Sequence, residues 1–255
     1  MGKGSTLKVT SVINQKGGVA KTTTSINIAA AWASQGLRIL LIDLDPQSSA
    51  TKSVFGDREF DKTIYDVLVA QTTADEAIVN SETFGFDMIP GEIMLSGIDI
   101  QLAPQFGRES FLKRKLKNLH QNYDHVLIDC SPSLGLLTIN ALMASKDIII
   151  PICPEYFSLK GIELILETLK NIRVGLGHKV NVKGVVITRY KNRKIAREVI
   201  EKVQEEYQLR VFTDYIPDSI AVEEAHHIHQ PVFNYAPRNP ASKAYLKLSK
   251  GLLEA

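Results

Sequence analysis

Short apolar runs alternate with longer helical patterns from one end of this chain to the other. The runs are Lys8 to Ile13, Arg38 to Asp43, Phe86 to Ile89, Val126 to Asp129, Asp147 to Ile152 and Val182 to Thr188. Most are too continuously apolar to leave one face in water, so they read as strands covered on both sides. Strands alternating with helices build a parallel sheet, and the helices supply the cover. Leu112, Leu116 and Leu119 recur at helical spacing, as do Leu164, Ile165, Leu169 and Ile172, which gives each helix one apolar stripe to lay on the sheet. The expected fold is therefore α/β, a mostly parallel twisted β-sheet with helices on both faces. With 255 residues and 44% hydrophobic content the chain can bury a full core, and no repeat, low-complexity tract or flexible linker divides it. Residues 1–255 are expected to form a single domain. Two regions interrupt the rhythm: Asp57 to Asn80 reads as a helical insertion, and the tail Asp218 to Arg238 is marked by prolines and histidines.

Several function classes drop out on composition. No stretch approaches the ~20 consecutive apolar residues that span a bilayer, and the start MGKGSTLK lacks the apolar core of a secretory signal. A cytoplasmic protein is expected. Gly2 and Thr6 match the short myristoylation pattern, which is too loose to carry a conclusion. Cys130 and Cys153 form no CxxC pair, so neither a disulfide framework nor a zinc site is expected. His226, His227 and His229 have no acidic or cysteine partners at ligand spacing and are expected in an exposed turn. The net charge of +2 points to no partner by itself, but its distribution is uneven. Arg108 to Lys117 holds five basic residues, and Arg189 to Arg197 holds five without an acid.

The segment Lys16-Gly17-Gly18-Val19-Ala20-Lys21-Thr22 directly follows an apolar strand and opens a helix, the context of a Walker A phosphate loop. Gly17 and Gly18 let the backbone turn its N–H groups inward, and the helix starting near Lys21 adds its positive dipole end. Lys21 can reach the β- and γ-phosphates while the Thr22 hydroxyl, followed by Thr23, ligates magnesium. The strict pattern GxxxxGK[ST] is not met, because Gln15 and Ala20 stand at its two outer glycine positions. A plain strand-to-helix turn would account for the glycines. It leaves unexplained the two lysines, Lys16 and Lys21, at this spacing.

Two further runs end in acids. Ile39 to Gln47 places Asp43 and Asp45 where a buried strand emerges, followed by Pro46, which fixes a turn. His125 to Asp129 is an apolar strand ending in an acid and followed by Ser131-Pro132. It reads as a Walker B strand with Asp129 holding magnesium through a water.

Taken in this order, KGGxxKT, DLDPQ and LIDCSPSLG resemble the ParA/MinD superfamily with its deviant Walker A. With the closing YAPRNPASKAY, the resemblance to ParA/Soj chromosome and plasmid partitioning ATPases covers essentially the whole chain. It implies a P-loop ATPase using ATP and Mg2+, in which Lys16 crosses to the nucleotide of a second subunit so that ATP joins a homodimer. It also implies that Asp45 activates the attacking water and contributes to the magnesium shell, that Asp43 supports the site, and that Pro217 packs near the adenine. Residues Cys130 to Gly135 become the switch that senses the γ-phosphate. With Walker A at residue 15 or 16, the short form without an N-terminal helix-turn-helix is expected. Short relatives bind double-stranded DNA non-specifically and act with a ParB-like protein on the nucleoid. Arg189, Lys191, Arg193, Lys194 and Arg197 are the candidate DNA contacts. One departure concerns the segment Ile216 to Ala225, where Asp218 and Ala221 stand at positions the family fills with arginine. The alternatives are a MinD-like membrane-associated positioning ATPase, for which no basic amphipathic helix follows Leu252-Leu253-Glu254-Ala255, an iron–sulfur carrier, and a small-molecule ligase.

Overall fold

The computed structural model describes residues 7–120 and 122–255. Gly2 and Thr6 lie outside them. Seven strands are present: β1 (Lys8–Val12), β2 (Ile39–Leu44), β3 (Val79–Ser81), β4 (Phe86–Ile89), β5 (His125–Cys130), β6 (Asp147–Ile152) and β7 (Asn181–Ile187). They form one sheet in the order β3-β4-β2-β5-β1-β6-β7, in which only the β3–β4 pair is antiparallel. The six expected strands stand within one residue of their anticipated ends.

The helices are α1 (Lys21–Ala33), α2 (Ser49–Phe55), α3 (Ile64–Leu68), α4 (Ile98–Leu102), α5 (Phe111–Lys117), α6 (Leu136–Ala144), α7 (Ser158–Leu176), α8 (Lys194–Glu205), α9 (Ile220–His227), α10 (Val232–Tyr235) and α11 (Pro240–Glu254). Alternate strand residues feed two cores. Leu40, Ile42, Val126, Ile128, Ile148 and Ile150 pack beneath α3 to α8, whereas Ile39, Leu41, Leu127 and Ile149 face α1, α2 and α9 to α11. Each such Ile or Leu, once fully buried, contributes about 1.5–3 kcal/mol, so both faces are held by the same strands. Trp32 of α1 is buried against α11, where its Nε1–H donates to the Ser249 carbonyl at 2.8 Å.

The helical insertion expected over Asp57 to Asn80 is corrected. Only α3 and a single 3-10 turn at Asp75–Ala77 are helical, and Val79 and Asn80 already belong to β3. Thr63 begins α3 with a capping box closed by Asp66, so the residues before it are not helical, and β3 exists because Val79 to Ser81 pair with β4. For the histidines the expectation of an exposed turn holds at His229, whereas His226 and His227 end α9.

Candidate nucleotide site

β1 lies between β5 and β6, the point at which the strand order reverses, and ligands of open α/β sheets bind beyond the carboxyl ends there. Gly18 and Ala20 both adopt left-handed backbone, φ 73° and 59°. For Ala20 this conformation costs roughly 1–2 kcal/mol, and the loop retains it at a position the strict motif gives to glycine. No side chain caps the N-terminus of α1, so its first N–H groups face the loop. A Cβ built on Gly17 or Gly18 would meet no atom within 4 Å, which marks an open cradle lined by backbone.

Lys21 is buried at the floor of this cradle, where its Nζ donates to the Lys16 carbonyl at 3.3 Å. Burial pushes the Lys21 ammonium below its ordinary range, and Asp129 and Asp45 oppose that shift. Asp129, next to last in β5, stands in register with Asp43 of β2. Both carboxyls are fully buried. Burial raises Asp43 to about 6 against hydrogen bonds from Thr51, and burial followed by the charge of Asp43 raises Asp129 to about 7. Thr22 Oγ1 donates to Asp129 Oδ2 at 2.7 Å and Ser25 Oγ to Oδ1 at 2.8 Å. Asp45, also buried, accepts from the Gln47 N–H at 3.0 Å.

The structure thus brings together Gly17, Gly18, Val19, Ala20, Lys21, Thr22, Thr23, Asp43, Asp45 and Asp129. Pro217 joins them from the far end of the chain. The Tyr190 and Ile216 N–H groups bond to the Ile216 and Ile187 carbonyls, which lays residues 216–217 beside the end of β7. There Pro217 lines a cleft of about 230 Å³ with Gly18, Thr23, Thr188, Val222 and Tyr245.

Four positions escaped sequence reasoning. Asn14 braces the loop, donating to the Pro151 carbonyl at 2.7 Å and accepting the Lys16 N–H at 2.9 Å. Thr188 Oγ1 lies 3.0 Å from the Val19 carbonyl, and Thr51 donates to Asp43 through both its N–H and its hydroxyl. Ser25 is the fourth. Only Ser25 had a sequence signal, one helical turn beyond Lys21.

Lys16 does not join the cradle. Its ammonium pairs with Glu155, in the loop after β6. The five basic candidates from Arg189 to Arg197 are all exposed but unequal. Asp218 pairs with Arg189 at 3.3 Å and Lys191 at 2.8 Å, and Lys194 pairs with Glu198 at 3.5 Å, whereas Arg193 and Arg197 have no ion pair among the described residues. In the other cluster Arg114 stacks on Phe111 at 4.3 Å and Arg108 pairs with Glu109.

A cradle of backbone amides with a desolvated ammonium, facing the buried carboxyls of Asp43, Asp45 and Asp129, suits a polyphosphate carrying a metal ion. The molecule is a P-loop nucleoside triphosphatase. The family model of an AAA domain matches residues 7–183. The chain is 39% identical over 245 residues to the sporulation initiation inhibitor protein Soj of Bacillus subtilis, covering 95% of this chain and 97% of that protein. It is 37% identical to the chromosome partitioning protein ParA of Caulobacter vibrioides, covering 97% and 94%. Among solved structures, a cobyrinic acid a,c-diamide synthase from Mycobacterium smegmatis with bound ADP and magnesium superposes with a TM-score of 0.86. It is 33% identical and the match covers 98% of this chain and 95% of that one. The chain belongs to the ParA/Soj family of P-loop ATPases.

Proposed function

We propose that this ATPase uses magnesium and ATP to form a homodimer that binds double-stranded DNA without sequence preference, and that with a ParB-like partner it moves a chromosome or plasmid. The observation that carries this reading is the placement of Lys16. Lys21 already supplies the phosphate lysine of its own cradle, while Lys16 turns away from it to Glu155 at the surface. An exposed ion pair of this kind is worth about 0–1 kcal/mol, so a triphosphate presented by a second subunit readily displaces Glu155. The loops around it support a docking face. Ile93, Met94, Tyr156 and Phe157, which follow β4 and β6 at the carboxyl end of the sheet, are 63%, 53%, 68% and 77% exposed.

In this arrangement Thr22 and Asp129 would hold magnesium, with Asp45 contributing to its shell, and the metal would supply charge neutralisation to the phosphates. Asp45 orients the attacking water, and the partner's lysine stabilises charge in the transition state. Lys16→Ala is expected to bind ATP within about threefold of the parent and to lose ATP-dependent dimerisation, read as mass in light scattering. A variant that still doubles its mass with ATP sinks the reading.

The DNA surface is argued from charge order. Arg193 stands at the N-cap position of α8 without capping it, with Lys194 and Arg197 in the first turn and Glu198, Glu201 and Glu205 further along. A helix dipole favours the reverse order, so these cations are set against their local preference, as an external phosphate backbone would require. Arg193→Glu is expected to weaken binding to unrelated duplexes alike and to lower the salt slope by about 1. Asp218→Asn, which releases Arg189 and Lys191, is expected to tighten it. Fluorescence anisotropy across a salt series measures both, and unchanged affinities would move the interface elsewhere.

The membrane-associated alternative is less well supported. The apolar side of α11 is spent in the core through Tyr245, Leu248 and Leu252, and no helix among the described residues is long and apolar enough to cross a membrane. The ligase reading lacks a use for Lys16.

A further inference from the structure

His226 and His229 take no part in the phosphate cradle, yet they grip α2, which is bonded to Asp43. α9 starts at the cleft lined by Pro217, Ser219 and Val222, and its other end meets α2. His226 Nδ1 lies 3.0 Å from Ser53 Oγ, and the His229 Nδ1–H donates to the Ser53 carbonyl at 3.1 Å. Ser53 Oγ gives its single proton to the Ser49 carbonyl at 2.8 Å, so it accepts from His226, which places the ring proton on Nδ1. His226 Nε2 is buried without a hydrogen-bond partner among the described residues, consistent with a neutral ring. Gly56, which closes α2 at φ 67°, approaches so near that a Cβ there would stand 3.1 Å from His229 Nε2. His229 itself adopts left-handed backbone at φ 54°, a conformation uncommon outside glycine.

The opposite end of α2 is tied to the aspartates. Thr51 donates to Asp43 at 2.8 Å and 2.7 Å, and the Ser48 N–H donates to the Asp45 carbonyl at 2.9 Å. α2 is thus a seven-residue rod pinned to the Asp43–Asp45 turn at its start and to α9 at its end.

We propose that His226 and His229 are positioning residues that couple occupation of the Pro217 cleft by a base to the placement of the Asp45 turn. A base packed on Pro217 and Val222 fixes the first turn of α9, the short helix responds as one body, and its last turn sets α2 through Ser53. On this assignment it is the base, and not the phosphate chain in the loop, that lies against Pro217 and Val222, so the clasp distinguishes a nucleotide from its polyphosphate. The inference rests on assigning this cleft to the base.

Hydrogen–deuterium exchange of the full chain over residues 45–56 tests it, with Mg-ADP, Mg-pyrophosphate or neither at saturation. ADP is expected to slow exchange severalfold and pyrophosphate to leave it unchanged. His226→Ala, and Ser53→Ala from the opposite side, should lose the ADP effect while binding ADP within about threefold in calorimetry. His226→Asn, whose amide N–H can replace Nδ1–H, should restore it. In turnover, His226→Ala should lose about tenfold in kcat with KM for ATP within twofold. Undiminished ADP protection in both His226→Ala and Ser53→Ala would overturn the coupling, as would equal protection by pyrophosphate. Equal affinity of the parent protein for ADP and pyrophosphate would remove the base assignment and the coupling with it.

Discussion

Lys21→Ala is expected to lose saturable ATP binding, with affinity falling by at least about 100-fold. The cause is electrostatic. The Lys21 ammonium is buried, its one hydrogen bond among the described residues goes to a carbonyl at 3.3 Å, and desolvation holds its pKa down against the pull of Asp129 and Asp45. A cation in that state lacks a full complement of acceptors, and a triphosphate supplies them in a water-poor setting where each charge-assisted contact is strong. Once Lys21 is removed, the phosphates face three buried carboxyls without the buried ammonium that offsets them. Calorimetry reads the loss directly. Thermal unfolding gives a second readout: a ligand at 100 times its Kd stabilises the parent by about 2.7 kcal/mol, and that increment should vanish in the variant. A variant retaining the ATP-dependent rise in Tm would show that another group carries the phosphates.

Asp45→Ala is expected to keep ATP binding and to lower kcat by about 10²- to 10⁴-fold, the range for removing a positioned proton acceptor. Asp45 Oδ1 is occupied by the Gln47 N–H, and among the described residues no donor reaches Oδ2, which leaves that oxygen for a water. Single-turnover chemistry separates this loss from product release, and light scattering should find the variant accumulating as an ATP-bound dimer. A kcat within threefold of the parent would assign the water to a different residue. Asp43 offers a contrast. Both of its oxygens are committed, Oδ2 to Thr51 and Oδ1 to the Asp45 N–H at 3.2 Å, so it braces the turn rather than acting on water.

The strands were legible because each is an apolar run that must be buried on both faces whatever surrounds it, so its extent is written locally. β3 was not, since Val79 to Ser81 carry no strand pattern and become a strand only by pairing with β4. The same division runs through the site. The cradle is one contiguous segment between a strand and a helix, and residue type alone placed Gly17, Gly18, Lys21 and Thr22 in it. Thr51, Asn14 and Thr188 sit in no motif, and their roles depend on how α2, β6 and β7 meet the loop.

The charge clusters show the limit most directly. Read along the chain, Arg189 to Arg197 contains no acid, yet in the folded molecule Asp218 reaches across to Arg189 and Lys191, because residues 216–217 run beside the end of β7. The sequence by itself determined the fold class, the family and the phosphate loop with its two lysines, since these depend on short-range order and local periodicity. Tertiary structure alone decided that Lys16 turns to Glu155, that Asp43 and Asp129 stand in register, and that two histidines hold α2. The side-chain contacts among these join residues 139 to 176 positions apart, and all of them depend on strand order and helix docking, which no local pattern encodes.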